Sequence, residues 1–196
     1  GFKIRGAFPL IDSPKGTDIW EANSSHTISW TTTGSIDRVD IISSTDNFAT
    51  SSTVIANLFN NGTYLWGVPN DVSNNVKIRI RDTNDPTLVY KDRPDPFDSV
   101  ARIQVTKPLA GDIYRTGEVY QIKWKTWGPV PNIQIQMSTD VAHSSWETID
   151  PAQMPITNTS DPNGGDSEGV YNWTIPMNKM SETVLVRVQD SRYPTL

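Results

Sequence analysis

The sequence predicts an all-β chain built from two tandem β-sandwich domains. Apolar residues alternate with polar ones along short segments, which is the period of half-buried strands and not of helices. Turn-forming residues separate these segments about every ten residues, as in antiparallel sandwiches. One ordered series of residues also occurs twice in the 196 residues, so the same scaffold is encoded twice.

The first part of the repeat contains no gap, and its two copies lie 94 positions apart. The first copy consists of Pro14, Trp20, Ile28, Trp30, Gly34, Val39, Ile41, Ser44, Thr45, Asp46 and Ile55, and the second of Pro108, Tyr114, Ile122, Trp124, Gly128, Ile133, Ile135, Ser138, Thr139, Asp140 and Ile149. A later block from Tyr64 to Leu88 recurs at offsets of 107 and 108. A tandem array repeats the parts that fold and not the parts that react, which favours a non-enzyme.

The strands of the first copy follow from the alternation. Apolar positions predict strands at Ile28 and Trp30, Val39 and Ile41, Tyr64 to Val68, and Val76 to Ile80. Turn signals lie at Gly34, at Asn60-Asn61-Gly62 and at Asn74-Asn75. Ser29, Asp40, Lys77, Arg79 and Arg81 are expected to face water.

The second core is predicted by the same logic. It comprises Ile122, Trp124, Ile133, Ile135, Tyr171, Trp173, Val184, Val186 and Val188. Trp30 with Trp66, and Trp124 with Trp173, are therefore expected to be buried pairs.

These patterns set the expected domain bounds. Residues 1–7 resemble the tail of a preceding repeat, residues 8–101 form the first repeat and residues 102–196 the second. The second copy carries 13 additional residues within about 150–169, predicted to be a surface loop, and lacks a counterpart of the strand that closes the first. We therefore expect the chain to be a fragment of a longer repeat array.

Composition excludes some partners and chemistries. The net charge is −5 and no basic run occurs, so nucleic acid is not an expected partner. Cysteine is absent, which excludes disulfides and thiolate catalysis and fits either the cytosol or a microbial surface. The segment contains no run that would insert directly into a membrane.

Two motif series carry a resemblance to a known family. The first copy contains three motifs in order: TISW at 27–30, GTYLWGVP at 62–69 and VKIRIRD at 76–82. The second copy keeps the last two motifs at residues 169–176 and 184–190. They resemble the immunoglobulin-like repeat of Ser/Thr-rich, GPI-anchored cell-wall proteins, which also occurs in large bacterial and archaeal surface proteins. The resemblance implies immunoglobulin-like sandwiches, an extracellular cell-surface or cell-wall location, and no catalytic residues.

Acidic residues after the penultimate strand of the first copy leave two interpretations open. Asp82, Asn84, Asp85 and Asp92 offer the oxygen ligands that calcium prefers, which makes Ca²⁺ the one cofactor to consider. An ordinary turn capped by Asp and Asn side chains is the alternative, and we favour it because Lys91 and Arg93 are interleaved.

Trp127 and Trp146 have no aromatic counterpart at the matching positions of the first copy. Exposed indoles stack on sugar rings, so both are candidate glycan-binding residues, whereas packing against the inserted loop is the alternative. Four sequons make Asn23, Asn61, Asn158 and Asn172 candidate glycosylation sites.

The expected function is that of a non-catalytic structural cell-surface protein. Its repeats would serve as spacer and assembly modules of a surface layer (S-layer) or cell-wall array, with neighbouring repeats and other copies of the protein as partners. A carbohydrate-binding or adhesive module of a surface protein or extracellular enzyme is the alternative, with cell-wall glycan as its partner. No metal-ligand spacing surrounds the two histidines, His26 and His143.

Overall fold

The computed structural model describes residues 1–192, and its chain divides into two compact units, Gly1–Val100 and Ala101–Leu196. The described residues form sixteen β-strands and no helix, so the prediction of an all-β chain is confirmed. Residues 193–196, the end of the second predicted repeat, lie outside the described residues.

Unit 1 contains nine strands in two sheets. They are β1 (Ile11–Ser13), β2 (Ile19–Glu21), β3 (Ser25–Trp30), β4 (Arg38–Ser44), β5 (Ser52–Phe59), β6 (Thr63–Gly67), β7 (Ser73–Asp82), β8 (Tyr90–Asp92) and β9 (Phe97–Val100). One sheet has the order β1-β3-β6. The other has the order β2-β9-β7-β4-β5, with β8 also paired to β7. All of these pairs are antiparallel except β2 with β9.

The core of unit 1 lies between these sheets, as in an immunoglobulin-like sandwich. Ile28, Trp30 and Trp66 come from the first sheet, and the second sheet supplies the alternate residues of β4 and β7 together with Phe97. Alternation places every second side chain of a strand on one face, so these residues are buried as the sequence predicts.

Unit 2 contains seven described strands, also in two sheets. They are β10 (Arg102–Lys107), β11 (Val119–Trp127), β12 (Asn132–Ser138), β13 (Glu147–Thr148), β14 (Ile156–Thr157), β15 (Gly169–Thr174) and β16 (Leu185–Asp190). One sheet has the order β10-β11-β15. In the other, β12 pairs with β13 and β14 on one side and with β16 on the other. Trp124, Trp173 and Ile135 lie in the core between them.

The insertion at about 150–169 is not simply a surface loop. It contains β14, whose Ile156 packs against the core, and the buried Ser160. Unit 1 spans the same position with the continuous strand β5, whereas unit 2 uses the two short strands β13 and β14 with a bulging segment between them. The sequence does not reveal β14, because a two-residue strand that directly follows Pro155 carries no alternation pattern.

Three further expectations are corrected. Asn74 and Asn75 lie inside β7 and not in a turn. Asp40 is buried because hydrogen-bonding partners surround its carboxylate. Val184 is 41% exposed, although its counterpart Val76 is only 5% exposed. The reason is that no described strand covers this side of unit 2.

Residues 1–7, expected to be the tail of a preceding repeat, form no strand in the structure. Ala7 makes a single β-bridge with Thr33, and Phe2 and Ile4 are exposed.

Candidate functional site

A tryptophan held by an asparagine is the most specific polar feature of unit 1. The buried Trp30 on β3 donates its indole Nε1–H to Oδ1 of Asn60, at 2.8 Å. The Asn60 amide then donates to Thr32 Oγ1 at 3.1 Å and to the Ile36 carbonyl at 2.8 Å. Asn60 stands in the turn between β5 and β6, so this network, the Trp–Asn clamp, ties a core side chain to two loops.

Unit 2 repeats the clamp with the same chemistry. Trp124 Nε1 donates to Asn158 Oδ1 at 2.9 Å, and the Asn158 amide donates to Thr126 Oγ1 at 3.2 Å and to the Val130 carbonyl at 2.9 Å. Ser160 also donates to Asn158 Oδ1. Asn158 was singled out as a glycosylation candidate. Its amide group is occupied as fully as that of Asn60, which is not in a sequon, so the structure gives Asn158 a packing role.

The other three sequon residues are exposed. Asn23 lies before β3 with a φ of 59°, Asn61 lies in the turn before β6, and Asn172 lies on β15. Asn61 Oδ1 accepts from the Thr63 N–H, and Asn172 Oδ1 accepts from the Gln121 amide. These three remain geometrically open to modification.

Trp127 does not offer an exposed ring. It is 9% exposed, and Arg102 lies over its ring with Cζ 4.6 Å from the centroid. Asn163 forms a β-bridge with Trp127, and a Cβ on Gly164 would collide with the indole. The inserted loop therefore packs directly against the Trp127 ring. The sugar-stacking hypothesis for Trp127 is therefore replaced by its alternative, packing against the loop.

Trp146 is half-buried and does have an aromatic counterpart in unit 1, although not at the matching sequence position. The Arg187 guanidinium lies over the Trp146 ring at 4.2 Å, as the Arg79 guanidinium lies over Phe48 at 4.1 Å. Arg79 and Arg187 are equivalent residues of β7 and β16. Sequence matching missed the pair because Phe48 and Trp146 stand in turns of different length.

The predicted calcium ligands are used for other contacts. Asp85 pairs with Arg5 at 2.5 Å, and Asp92 pairs with Arg79 through both carboxylate oxygens, at 2.5 and 2.8 Å. Asp82 Oδ1 accepts from the Asn84 N–H and caps a turn. Within residues 1–192, no three acidic or histidine side chains form a group that could hold a metal ion. The acidic-turn interpretation fits this geometry.

An ion pair of unit 1, between the half-buried Arg81 and the buried Asp40, has a neutral equivalent in unit 2. Arg81 Nε donates to Asp40 Oδ2 at 3.0 Å, while Thr83 Oγ1 and the Asn57 N–H donate to Oδ1. Burial acts to raise the pKa of Asp40, but the hydrogen bonds from Asn57, Thr83 and Arg81 outweigh it and the pKa is lowered. At the equivalent cross-strand pair of unit 2, the Gln189 amide donates to Gln134 at 3.1 Å.

The duplicated Ser-Thr-Asp motif closes the turn after β4 and after β12. Asp46 accepts from the hydroxyl and N–H of Thr50 and from the Ser44 hydroxyl, which lowers the pKa of Asp46 to about 2. Asp140 accepts from the hydroxyl and N–H of Ser145 and from the Ser144 N–H, which lowers its pKa as well. These two lowered pKa values therefore come from structural turns.

His26 has a packing role that its chemistry alone would not indicate. Its ring stacks on Trp20 with centroids 4.4 Å apart, and at the equivalent positions of unit 2 Tyr120 stacks on Tyr114 at 4.0 Å. Trp20 and His26 also line an open depression of about 660 Å³ on unit 1. The other lining residues are Ser13, Thr17, Asp18, Ile19 and Thr27. The depression contains one histidine and one carboxylate, and no nucleophile is activated in it by a hydrogen bond to either. The other histidine, His143, lies in the turn after β12 with a φ of 49°.

Comparisons with known proteins include a distant structural likeness. No protein-family model matches the sequence, and no curated protein matches it. Among solved structures, the chain is similar to the fibronectin(III)-like modules of Clostridium thermocellum CbhA, with 12% identity and a TM-score of 0.31, over 89% of this chain and 97% of that one. So distant a likeness assigns no residue a role. A search of the described residues also finds no helix of the length and hydropathy needed to span a membrane.

Proposed function

We propose that the chain is a non-catalytic structural segment of a cell-surface protein, in which tandem immunoglobulin-like repeats act as spacer and assembly modules. The observation that carries this proposal is the chemistry shared by the two units. The Trp–Asn clamps, the Ser-Asp turns and the stacked ring pairs all hold the fold together. A duplicated chain that keeps such contacts, and varies its exposed loops, fits a role as scaffold.

The surface location follows from the resemblance of the repeated motifs to cell-wall immunoglobulin-like repeats. Intact cells of the source organism, labelled with antibodies raised against this chain, should bind them without permeabilisation and show an ordered pattern by electron microscopy. Labelling that requires permeabilisation would overturn the surface location. Glycan turnover by the purified chain, lost on one acidic or histidine substitution, would overturn the non-catalytic role.

A glycan-binding role is the second candidate, and it now depends on Trp146 alone. This indole is half-buried, with Arg187 over one face. Saturable binding on a glycan array that is lost in Trp146→Ala and kept in Trp127→Phe would favour an adhesive module. Equal binding by the wild-type chain and Trp146→Ala would exclude this residue as the platform.

A further inference from the structure

Each unit contains one Asn-Gly dipeptide in an exposed loop, and the structure holds the two dipeptides differently. Asn61-Gly62 lies in the turn between β5 and β6, and Asn163-Gly164 lies in the inserted loop of unit 2. The side-chain amide carbon of an asparagine can be attacked by the backbone nitrogen of the next residue. Glycine hinders this attack least, because it has no Cβ. The two dipeptides therefore share a chemistry, and the contacts around them decide how fast it proceeds.

The peptide group that joins Asn61 to Gly62 is the less constrained of the two. Among residues 1–192, neither the Asn61 carbonyl nor the Gly62 N–H has a hydrogen-bonding partner. Asn61 is held through its side chain, because Oδ1 accepts from the Thr63 N–H at 3.1 Å. This donor lies on the oxygen that gains negative charge when the amide carbon is attacked, as in an oxyanion hole. Within the described residues the attacking nitrogen is therefore unbonded, and the carbon that it attacks is polarised.

The contacts around Asn163-Gly164 oppose the same attack. The Gly164 N–H donates to the Asp161 carbonyl at 3.1 Å, so the attacking nitrogen is already engaged. The Asn163 N–H and side-chain amide both donate to Asp161 Oδ1, at 2.8 and 3.2 Å. Asn163 also forms a β-bridge with Trp127, and Gly164 lies against the Trp127 indole. Attack at this site requires several of these contacts to break first.

We propose that Asn61 is a site of spontaneous covalent modification, in which the chain supplies both reacting groups and water is the co-reactant. The Gly62 nitrogen attacks Cγ of Asn61, and a new C–N bond closes a cyclic imide. The bond from Cγ to the side-chain nitrogen breaks, and ammonia leaves with the proton that Gly62 loses. Water then opens either carbonyl of the imide, which leaves aspartate or isoaspartate at position 61. No oxidant or reductant is needed at any step.

Isoaspartate at position 61 would lengthen the main chain between two groups that both hold Trp30. Asn60 Oδ1 accepts from the Trp30 indole at 2.8 Å, and the Gly62 carbonyl accepts from the Trp30 N–H at 3.0 Å. Isoaspartate inserts one more carbon into the main chain between these groups, so the two bonds cannot both keep their present geometry. Aspartate adds a charge and leaves the main chain unchanged. The modification therefore accumulates with time in unit 1, and its isoaspartate form loosens the ends of β3 and β6.

The test uses the full chain from a host that does not glycosylate, because a glycan on Asn61 would occupy the leaving nitrogen. The chain is incubated at neutral pH in isotopically labelled water, and peptide mapping by mass spectrometry follows both asparagines. Position 61 should take up label and convert to aspartate and isoaspartate at least about tenfold faster than position 163, where hydrogen bonds must break first. Asn61→Gln should abolish the conversion at position 61 and leave the rate at position 163 unchanged.

Unfolding the chain in denaturant provides the matched control. It removes the contacts of both dipeptides, so the two rates should then agree within about threefold. Equal rates in the folded chain would overturn the proposal. A rate difference that persists in denaturant would also overturn it, since neighbouring sequence and not the fold would then decide. Conversion to aspartate without isoaspartate would exclude the cyclic imide.

The effect on the fold has its own measurement. Chain enriched in isoaspartate by chromatography should exchange backbone hydrogens faster in β3 and β6 than unmodified chain, with β11 and β15 of unit 2 unchanged. Unchanged exchange in β3 and β6 would overturn the link to Trp30. The reaction does not depend on cellular location, so a failed surface labelling would leave this site intact, and the reverse also holds.

Discussion

Beside β7 in unit 1 two strands complete the sheet, whereas none of the described residues does so beside β16 in unit 2. A second segment that pairs with β9 in unit 1 also differs between the two units. Residues 19–21 form β2 by pairing with β9, but the matching residues 113–115 form no strand, and Ile113 is exposed. The two segments have similar β-propensity, so the presence of a partner decides which one becomes a strand.

In the interiors of the two units, by contrast, the same hydrogen-bonding positions are filled in both. Asp40 with Arg81 in unit 1 and Gln134 with Gln189 in unit 2 hold the same cross-strand position with different chemistry. The Trp–Asn clamp keeps its chemistry although the chain around Asn158 has changed length. Satisfied hydrogen bonds are therefore retained in the interior, whether or not charge is.

The largest expected effect tests whether the two cores are equivalent. Trp30→Ala and Trp124→Ala should each lower the free energy of unfolding by about 3–5 kcal/mol, because each opens a cavity and removes a buried ring. Hydrogen exchange resolved by segment, with chemical denaturation, should show the loss in the unit that carries the change. A loss below about 1 kcal/mol at either tryptophan would show that the two cores are not equivalent.

The next effect tests the clamps. Asn60→Ala and Asn158→Ala should each cost about 1–3 kcal/mol, because the buried indole N–H loses its acceptor. Asn→Asp variants are the matched control, since aspartate still accepts from the indole but cannot donate to Thr32 or Thr126. Mass spectrometry of chain secreted from a glycosylating host should find Asn158 unmodified. A glycan on Asn158 in folded chain would contradict the clamp.

A smaller effect tests the exchange of an ion pair for an amide pair. The double variant Asp40→Gln/Arg81→Gln places the unit 2 pair in unit 1 and should change the free energy of unfolding by less than about 1 kcal/mol at neutral pH. Asp40→Ala alone should cost about 1–3 kcal/mol, because Arg81, Thr83 and the Asn57 N–H lose their acceptor. If the double variant proves as unstable as Asp40→Ala, the two pairs are not interchangeable.

The smallest effect is a pH dependence common to both units. The folded pKa of Asp46 is about 2, below the unfolded value near 3.9. Its stabilisation is therefore complete above about pH 4 and is lost as the pH falls towards about 2. Asp140, whose pKa is also lowered, gives unit 2 the same dependence in sign. Melting temperatures between pH 2 and 6 should fall less steeply in Asp46→Asn for unit 1 and in Asp140→Asn for unit 2. Unchanged slopes would contradict the turn assignments.

Much of the fold could be predicted because the alternation of apolar and polar residues that marks a strand involves only residues close together in the sequence. Trp30, Trp66, Trp124 and Trp173 are buried as expected. Val184 could not be placed correctly, since its exposure depends on a covering strand and not on its own neighbours in sequence. Asp40 was expected to face water because alternation gives the face of a residue and not the hydrogen bonds that make burial favourable there.

The polar networks were less accessible from sequence. Asn60 and Asn158 are 98 positions apart, which falls between the offsets of the two matched blocks, so no alignment without gaps pairs them. His26 and Tyr120 are 94 positions apart, but they share only a planar ring, so residue identity did not reveal the match. Both pairs were detectable only once the contacts of each unit could be compared.

The Trp–Asn clamp also gives each unit a built-in spectroscopic probe. The Nε1 proton of Trp30 reports on unit 1 and that of Trp124 on unit 2, because each is buried and bonded to an amide oxygen. The exchange of such a proton with solvent requires the clamp to open, so its rate measures the free energy of opening for that unit alone. Two indole resonances in one NMR spectrum would therefore follow both units at once, without any introduced label.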